Sequence, residues 1–245
     1  LESFIKLIAS AIDDKSPYTG GHCQRVPEIT KMLASAACDQ KQGPFADFDL
    51  DEDQWYELHI AAWLHDCGKV TTPVHIVDKS TKLETIGDRI DMIRDRFELL
   101  KRDAEIAYLK KIVKSNADKK KLKAKFDAEI EQLNDDCAFI SESNIGGEFM
   151  DPEKQERVEA IAARKYTDAS GKKVRFLTEE EVYNLRIERG TLTTEERQVI
   201  NHHIEMTIDM LEALPFPKKL RRVPEYAGGH HEKMDGTGYP RGLMG

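Results

Sequence analysis

A chain of 245 residues with 40% hydrophobic and 33% charged side chains can bury a sizeable core. Its net charge of −8 excludes a general coat for nucleic-acid polymers, which needs a basic face. No apolar run approaches the ~20 residues of a membrane span.

The elements read as helical almost throughout. Leu1 to Ile8 forms an amphipathic helix already under way rather than a signal peptide, as in a piece of a longer protein. Helices are predicted over 1–14, 22–38, 53–65, 83–115, 119–142, 152–165, 178–189, 194–213 and 217–229. Leu83, Ile86, Ile90, Ile93, Phe97, Leu100, Ala104 and Ala107 alternate spacings of three and four, which is a heptad seam. Leu122, Phe126, Ile130, Leu133, Cys137 and Ile140 make a second stripe, with the polar turn Ser115 to Asp118 between them. The pair predicts an antiparallel helical hairpin with arms roughly 35–50 Å long. Lys119, Lys120, Lys121 and Lys123 near its tip read as a solvated turn, with an acidic-lipid or nucleic-acid contact as the sharper reading. Residues 144–177 read as a partly irregular return with a short hairpin at Asp168 to Gly171. Cys23, Cys38, Cys67 and Cys137 show no CxxC spacing and fit reduced thiols, so a cytoplasmic location is expected.

Five of the eight histidines fall in three clusters, His65-Asp66, His202-His203 and His230-His231-Glu232. Imidazole and carboxylate donors from several helices of a bundle can meet in a shared interior around metal ions. Nitrogen and oxygen donors without thiolate suit iron, manganese or zinc. A carboxylate bridging two such ions suits attack of water on phosphorus, and Lys69 is placed to neutralise a phosphate oxygen. His59 and His75 read as core or surface residues, Cys67 as a small packing residue, and Asp235 as structural. Arg25 fits either a phosphate contact or a structural ion pair.

His65-Asp66-Cys67-Gly68-Lys69, together with the run from His230 to Pro240 that contains Gly238-Tyr239-Pro240, resembles the HD-GYP family, a branch of the HD phosphohydrolase superfamily. The resemblance covers about residues 1–82 and 190–245, including Tyr18 to Val26 and Leu192 to Glu196. It implies an all-α HD-type helical bundle and a metal centre that hydrolyses cyclic di-GMP to pGpG or GMP. Residue by residue, His22, His65, Asp66, His203, His230 and His231 match the family's metal ligands. Lys69 matches the lysine beside the scissile phosphate, and Gly238, Tyr239 and Pro240 match the signature loop. Iron or manganese is favoured, with zinc, nickel or magnesium also able to fill such sites. Tyr18 stands where some members have a glutamate for a third metal, so two are expected. A further aspartate that the family places beyond the signature loop is not reached by Gly245.

The family runs directly from the HD helix to the next ligand helix, so residues 83–189, with the hairpin, read as an insertion into a core of 1–82 and 190–245. The insertion is expected either to be satisfied internally or to mediate a homodimer or dock a regulatory domain. An upstream sensor or receiver domain, typical of two-component signalling, is a further expected partner. The alternatives to cyclic di-GMP hydrolysis are action on another nucleotide and a sensor module that binds without hydrolysis.

Overall fold

The structure, a computed structural model, describes residues 2–15, 21–114 and 118–244. Tyr18, on which the expected number of metals turned, and most of the 115–118 turn lie outside the described residues. The helices follow in chain order as α1 (Glu2–Asp13), α2 (His22–Cys38), α3 (Glu52–Leu64), α4 (Val74–Val77), α5 (Ile90–Lys114) and α6 (Lys119–Ile145). They continue with α7 (Pro152–Ala162), α8 (Glu179–Leu185), α9 (Thr194–Asn201), α10 (His203–Glu212) and α11 (Val223–Gly228). A 3-10 turn at Cys67–Thr71 follows α3. The fold is all-α. Among the described residues the sheet content is β1 (Lys165–Thr167) and β2 (Lys173–Arg175), antiparallel with Lys165 opposite Arg175. Asp168 closes the turn between them, its Oδ1 accepting from the backbone N–H of Ser170 and Lys172. No helix among the described residues is long and apolar enough to cross a membrane.

The chain divides into two compact units, one of residues 1–78 and 195–245 and one of residues 79–194. In the first, α1 buries Ile5, Ala9 and Ile12, spaced four and three apart on one face of a helix. They pack in a cluster with Ile60, Ala61 and Leu64 of α3 and with Leu211, Leu220, Val223 and Ala227. This places α3 centrally, with its C-terminal end leading straight into His65. The start of α3 is closed by Asp51, whose side chain accepts from Gln54 N while Gln54 reaches back to Asp51 N.

In the second unit α5 and α6 form the hairpin, about 38 and 40 Å long at 1.5 Å per residue. Ile90, Ile93 and Phe97 meet Leu133 and Ile140 in one cluster with Val158, Phe176, Leu177 and Leu185. Farther along the pair, Tyr108 stacks on Phe126 with centroids 4.9 Å apart.

Three helices depart most from the sequence prediction, and the one expected over 217–229 is a 3-10 turn at Lys218–Leu220 followed by α11. The helix expected over 83–115 begins only at Ile90. Before it, Glu84 Oε2 accepts from Ser80 N, Ser80 Oγ and Thr81 N, and Asp88 Oδ1 accepts from Ile90 N. Such local side-chain bonds compete with the helix ladder. Ile86, counted in the seam, is therefore fully exposed, whereas Leu83 reaches the core from the loop. The helix expected over 194–213 is interrupted at His202, giving α9 and α10.

Candidate metal centre

The first unit brings together seven side chains from four stretches of the sequence. Asp66 is 3% exposed and stands at their centre. Its Oδ2 lies 3.3 Å from His22 Nε2, 3.1 Å from His65 Nε2 and 2.7 Å from Lys69 Nζ. Its Oδ1 lies 3.3 Å from His203 Nε2 and 3.6 Å from His230 Nε2. His231 completes the group, its ring 4.3 Å from that of His230 and 5.3 Å from that of His203. The donors thus fall into two sets with spacing able to hold a cation, His22, His65 and Asp66 in one and His203, His230 and His231 in the other.

Helix ends orient three of these rings. The last carbonyls of a helix lack intrahelical partners. His65 Nδ1 bonds Ala62 O at 2.7 Å, His230 Nδ1 bonds Ala227 O at 2.6 Å, and His203 Nδ1 bonds Ile200 O. Each carbonyl belongs to the residue three positions back, at the end of α3, α11 or α9. A carbonyl only accepts, so each bond puts the ring proton on Nδ1 and leaves Nε2 a bare lone pair turned to Asp66. Fixing the tautomer through the other ring nitrogen is the usual support of a metal-binding histidine.

The arrangement fits a cation. Asp66 Oδ1 and His203 Nε2 are both buried without a hydrogen-bond partner and face each other at 3.3 Å. Two acceptor lone pairs at that distance repel unless a positive charge sits against both. Burial, with His230 and His203 beside it, pushes His231 down to about 4, so this ring is a neutral donor at pH 7. The nearby thiols are not donors. Burial, joined by the bond to Asp13, takes Cys23 up to about 12, and burial takes Cys67 up to about 11. The donor set is nitrogen and carboxylate oxygen, suited to iron, manganese or zinc.

The signature loop packs against this centre. A Cβ at Gly238 would lie 2.4 Å from Glu232 Cα and Lys233 N, so only glycine lets the loop fold back so closely. Tyr239 then donates its N–H to His231 O at 3.2 Å and lays its ring on the His231 ring, 4.7 Å between centroids. Glu232 ties the loop by accepting from Arg241 N and Leu243 N, and Asp235 accepts from Thr237 within it.

Other residues near the centre were not singled out by the sequence. Asp13, buried at the end of α1, accepts from Cys23 N at 3.1 Å and so caps the first turn of α2, where His22 sits. Lys15 Nζ donates to the carbonyls of Lys69 and Val70 at 2.9 and 2.7 Å, holding the 3-10 turn that carries Lys69. Thr207 Oγ1 accepts from Gly68 N at 2.9 Å and donates to His65 O at 3.3 Å, joining α10 to the HD segment. The role of Gly68 is close approach. A Cβ there would lie 2.0 Å from His203 O. Gly68 and Thr207 carry no signal that could have assigned these contacts, since their partners lie more than a hundred residues away. His59 accepts from Trp63 Nε1 at 3.2 Å, His202 pairs with Glu205 at 2.6 Å, and His75 is exposed.

Comparison with known proteins agrees with this geometry. Residues 179–245 match the HD domain family, a stretch that holds His203, His230, His231 and the signature loop but not His65-Asp66. A stretch of 84 residues, 34% of this chain, is 37% identical to the 3′3′-cGAMP-specific phosphodiesterase 3 of Vibrio cholerae serotype O1 and covers 16% of that protein. No solved structure matches. Over these stretches the chain is similar to proteins of the HD phosphohydrolase superfamily.

Proposed function

We propose that this chain is a metal-dependent phosphodiesterase acting on a cyclic dinucleotide, with His22, His65, Asp66, His203, His230 and His231 as the metal ligands. The observation that carries the reading is the Asp66 carboxylate, one oxygen turned to His22 and His65 and the other to His203 and His230. His22, His65 and Asp66 would hold one divalent cation and His203, His230 and His231 another. Divalent ions held there would polarise the phosphate and make water a nucleophile near neutral pH.

The protein's own groups define the rest. In the hydrolysis, the oxygen of one water bonds to phosphorus, one P–O ester bond opens, and the freed ribose hydroxyl takes a proton, giving the linear dinucleotide. A second round gives mononucleotides. The Lys69 ammonium, anchored 2.7 Å from Asp66 and partly exposed, offsets charge on a phosphate oxygen at the edge of the centre. Tyr239, fixed flat on His231, forms one wall of the approach. Cyclic di-GMP is the substrate that the HD-GYP resemblance implies, and the Vibrio relative's name adds a cGAMP as a second cyclic dinucleotide to compare.

The decisive experiment measures metal content and turnover together on anaerobically purified protein, with iron and manganese, against a panel of cyclic dinucleotides and nucleoside phosphates. Close to two metals per chain and a cyclic dinucleotide as best substrate are expected. Tight dinucleotide binding at full metal loading, with no product over hours, would make the domain a receptor instead.

A further inference from the structure

Beside the metal centre, within the first unit, lies an open cleft of about 600 Å³ bounded by Thr71, Thr72, Gln198, Asn201, Tyr239 and Pro240. Its size falls in the range of about 300–1,000 Å³ typical of small-molecule sites. It borders the centre on three sides. Tyr239 lies on His231, Thr71 Oγ1 donates to Gly68 O at 2.8 Å, and Asn201 is two residues before His203.

The chemistry of the lining says what fits. Among the described residues no lysine or arginine lines it, so it offers nothing to a phosphate, whose charge would be met instead at Lys69 and the proposed metal ligands. Its histidine, His202, is engaged with Glu205 at 2.6 Å. What remains is an aromatic wall, with one face of Tyr239 covered by His231 and the rest of the ring bordering the cleft. The lining also includes Gln198 and Asn201, whose carboxamides make no hydrogen bond to other described residues. A flat heterocycle with a polar edge matches such a surface.

We propose that this cleft is a subsite for an adenine base of the substrate, with Gln198 and Asn201 as specificity-determining residues. The proposal rests on the cyclic-dinucleotide reading above. Each carboxamide presents a donor beside an acceptor, the complement of the amino group and ring nitrogen on one edge of adenine. Guanine offers two acceptors on the corresponding edge and calls for arginine or lysine, neither of which lines the cleft.

The test compares the wild-type chain with Gln198→Ala and Asn201→Ala, all loaded with manganese. Calorimetry gives affinities for cyclic di-AMP and cyclic di-GMP, and hydrolysis of bis(p-nitrophenyl) phosphate reports on a diester without a base. Each variant is expected to lose about tenfold or more in affinity for cyclic di-AMP. The loss for cyclic di-GMP, and in turnover of the base-free ester, is expected to be smaller. A cyclic di-AMP affinity that stays within about threefold of wild type, or an equal loss for both dinucleotides, overturns the subsite. So does failure of the wild type to bind cyclic di-AMP. If the wild type binds it and the variants do not, yet neither the dinucleotide nor the base-free ester is cleaved at full metal loading, the subsite stands and the phosphodiesterase reading falls.

Discussion

Both units bury acidic side chains, and Glu181 and Asp136 of the second are treated in the opposite way to Asp66 of the first. In the second unit Glu181, 3% exposed, meets the Arg96 guanidinium at 2.5 and 2.8 Å and also accepts from Thr178 N. Asp136, 2% exposed, is held by Arg157, Arg164 and Gln132. In the first unit Asp66 has one ammonium partner, and its other oxygen faces only imidazole lone pairs. A buried charge with matched partners is architecture. One left facing further acceptors is waiting for a cation, and that contrast separates the site from the scaffold better than burial does.

Asp66→Ala should break the comparison on the functional side. Metal content and turnover should fall by more than the ~10–100-fold seen when outer-shell partners are lost. Far-ultraviolet circular dichroism should keep its helical signal, and the metal-free protein should lose less stability than Glu181→Ala does. A variant that retains metal and activity would remove Asp66 from the centre.

Arg96→Ala should show the opposite pattern. Leaving Glu181 buried without its partner costs about 3–5 kcal/mol, read as a lower denaturant midpoint, while the metal content of the folded fraction stays at the wild-type level. Replacing both partners by apolar residues of similar volume should restore much of the loss.

Gly68→Ala tests whether the close approach of α10 is what aims His203. The added methyl would meet His203 O, so α10 must shift, at a cost of about 1–3 kcal/mol. Metal content should fall together with stability, which separates this change from Arg96→Ala.

The smallest effect concerns Lys82, buried in the second unit with Nζ donating to Leu185 O and Ile187 O. Burial, assisted by Lys154, lowers its pKa to about 8. The folded pKa is below the unfolded one, so the unfolded chain holds more protons between about pH 8 and 10.5 and this group's contribution to stability rises with pH there. The rise is at most about 3 kcal/mol. Denaturant unfolding at pH 7.5 and 10 should show it in the wild type, less the pH dependence that Lys82→Met retains.

Much of the candidate centre was legible because its donors come as adjacent pairs, His65-Asp66 and His230-His231, beside a long signature loop. The hairpin was legible because Ile90, Ile93, Phe97, Leu133 and Ile140 repeat at helical spacing. Other features were hidden. Residues 83–89 carry apolar residues at heptad positions, yet Glu84 and Asp88 turn their backbone through local bonds that periodicity does not weigh. The stretch from Thr194 to Glu212 holds no glycine or proline, so nothing in it announced the break at His202.

Composition and periodicity by themselves determined a helical protein, because apolar spacing dictates which face of each helix must leave water, and the histidine pairs determined which donors are available. The tertiary structure decided the rest. Helix ends three residues before His65, His203 and His230 set which ring nitrogen is bare, and Asp13, Gly68 and Thr207 set where those helices stop and touch. A coordination centre is a matter of tenths of an ångström and of proton positions, and those depend on contacts between residues that the order of the chain does not place side by side.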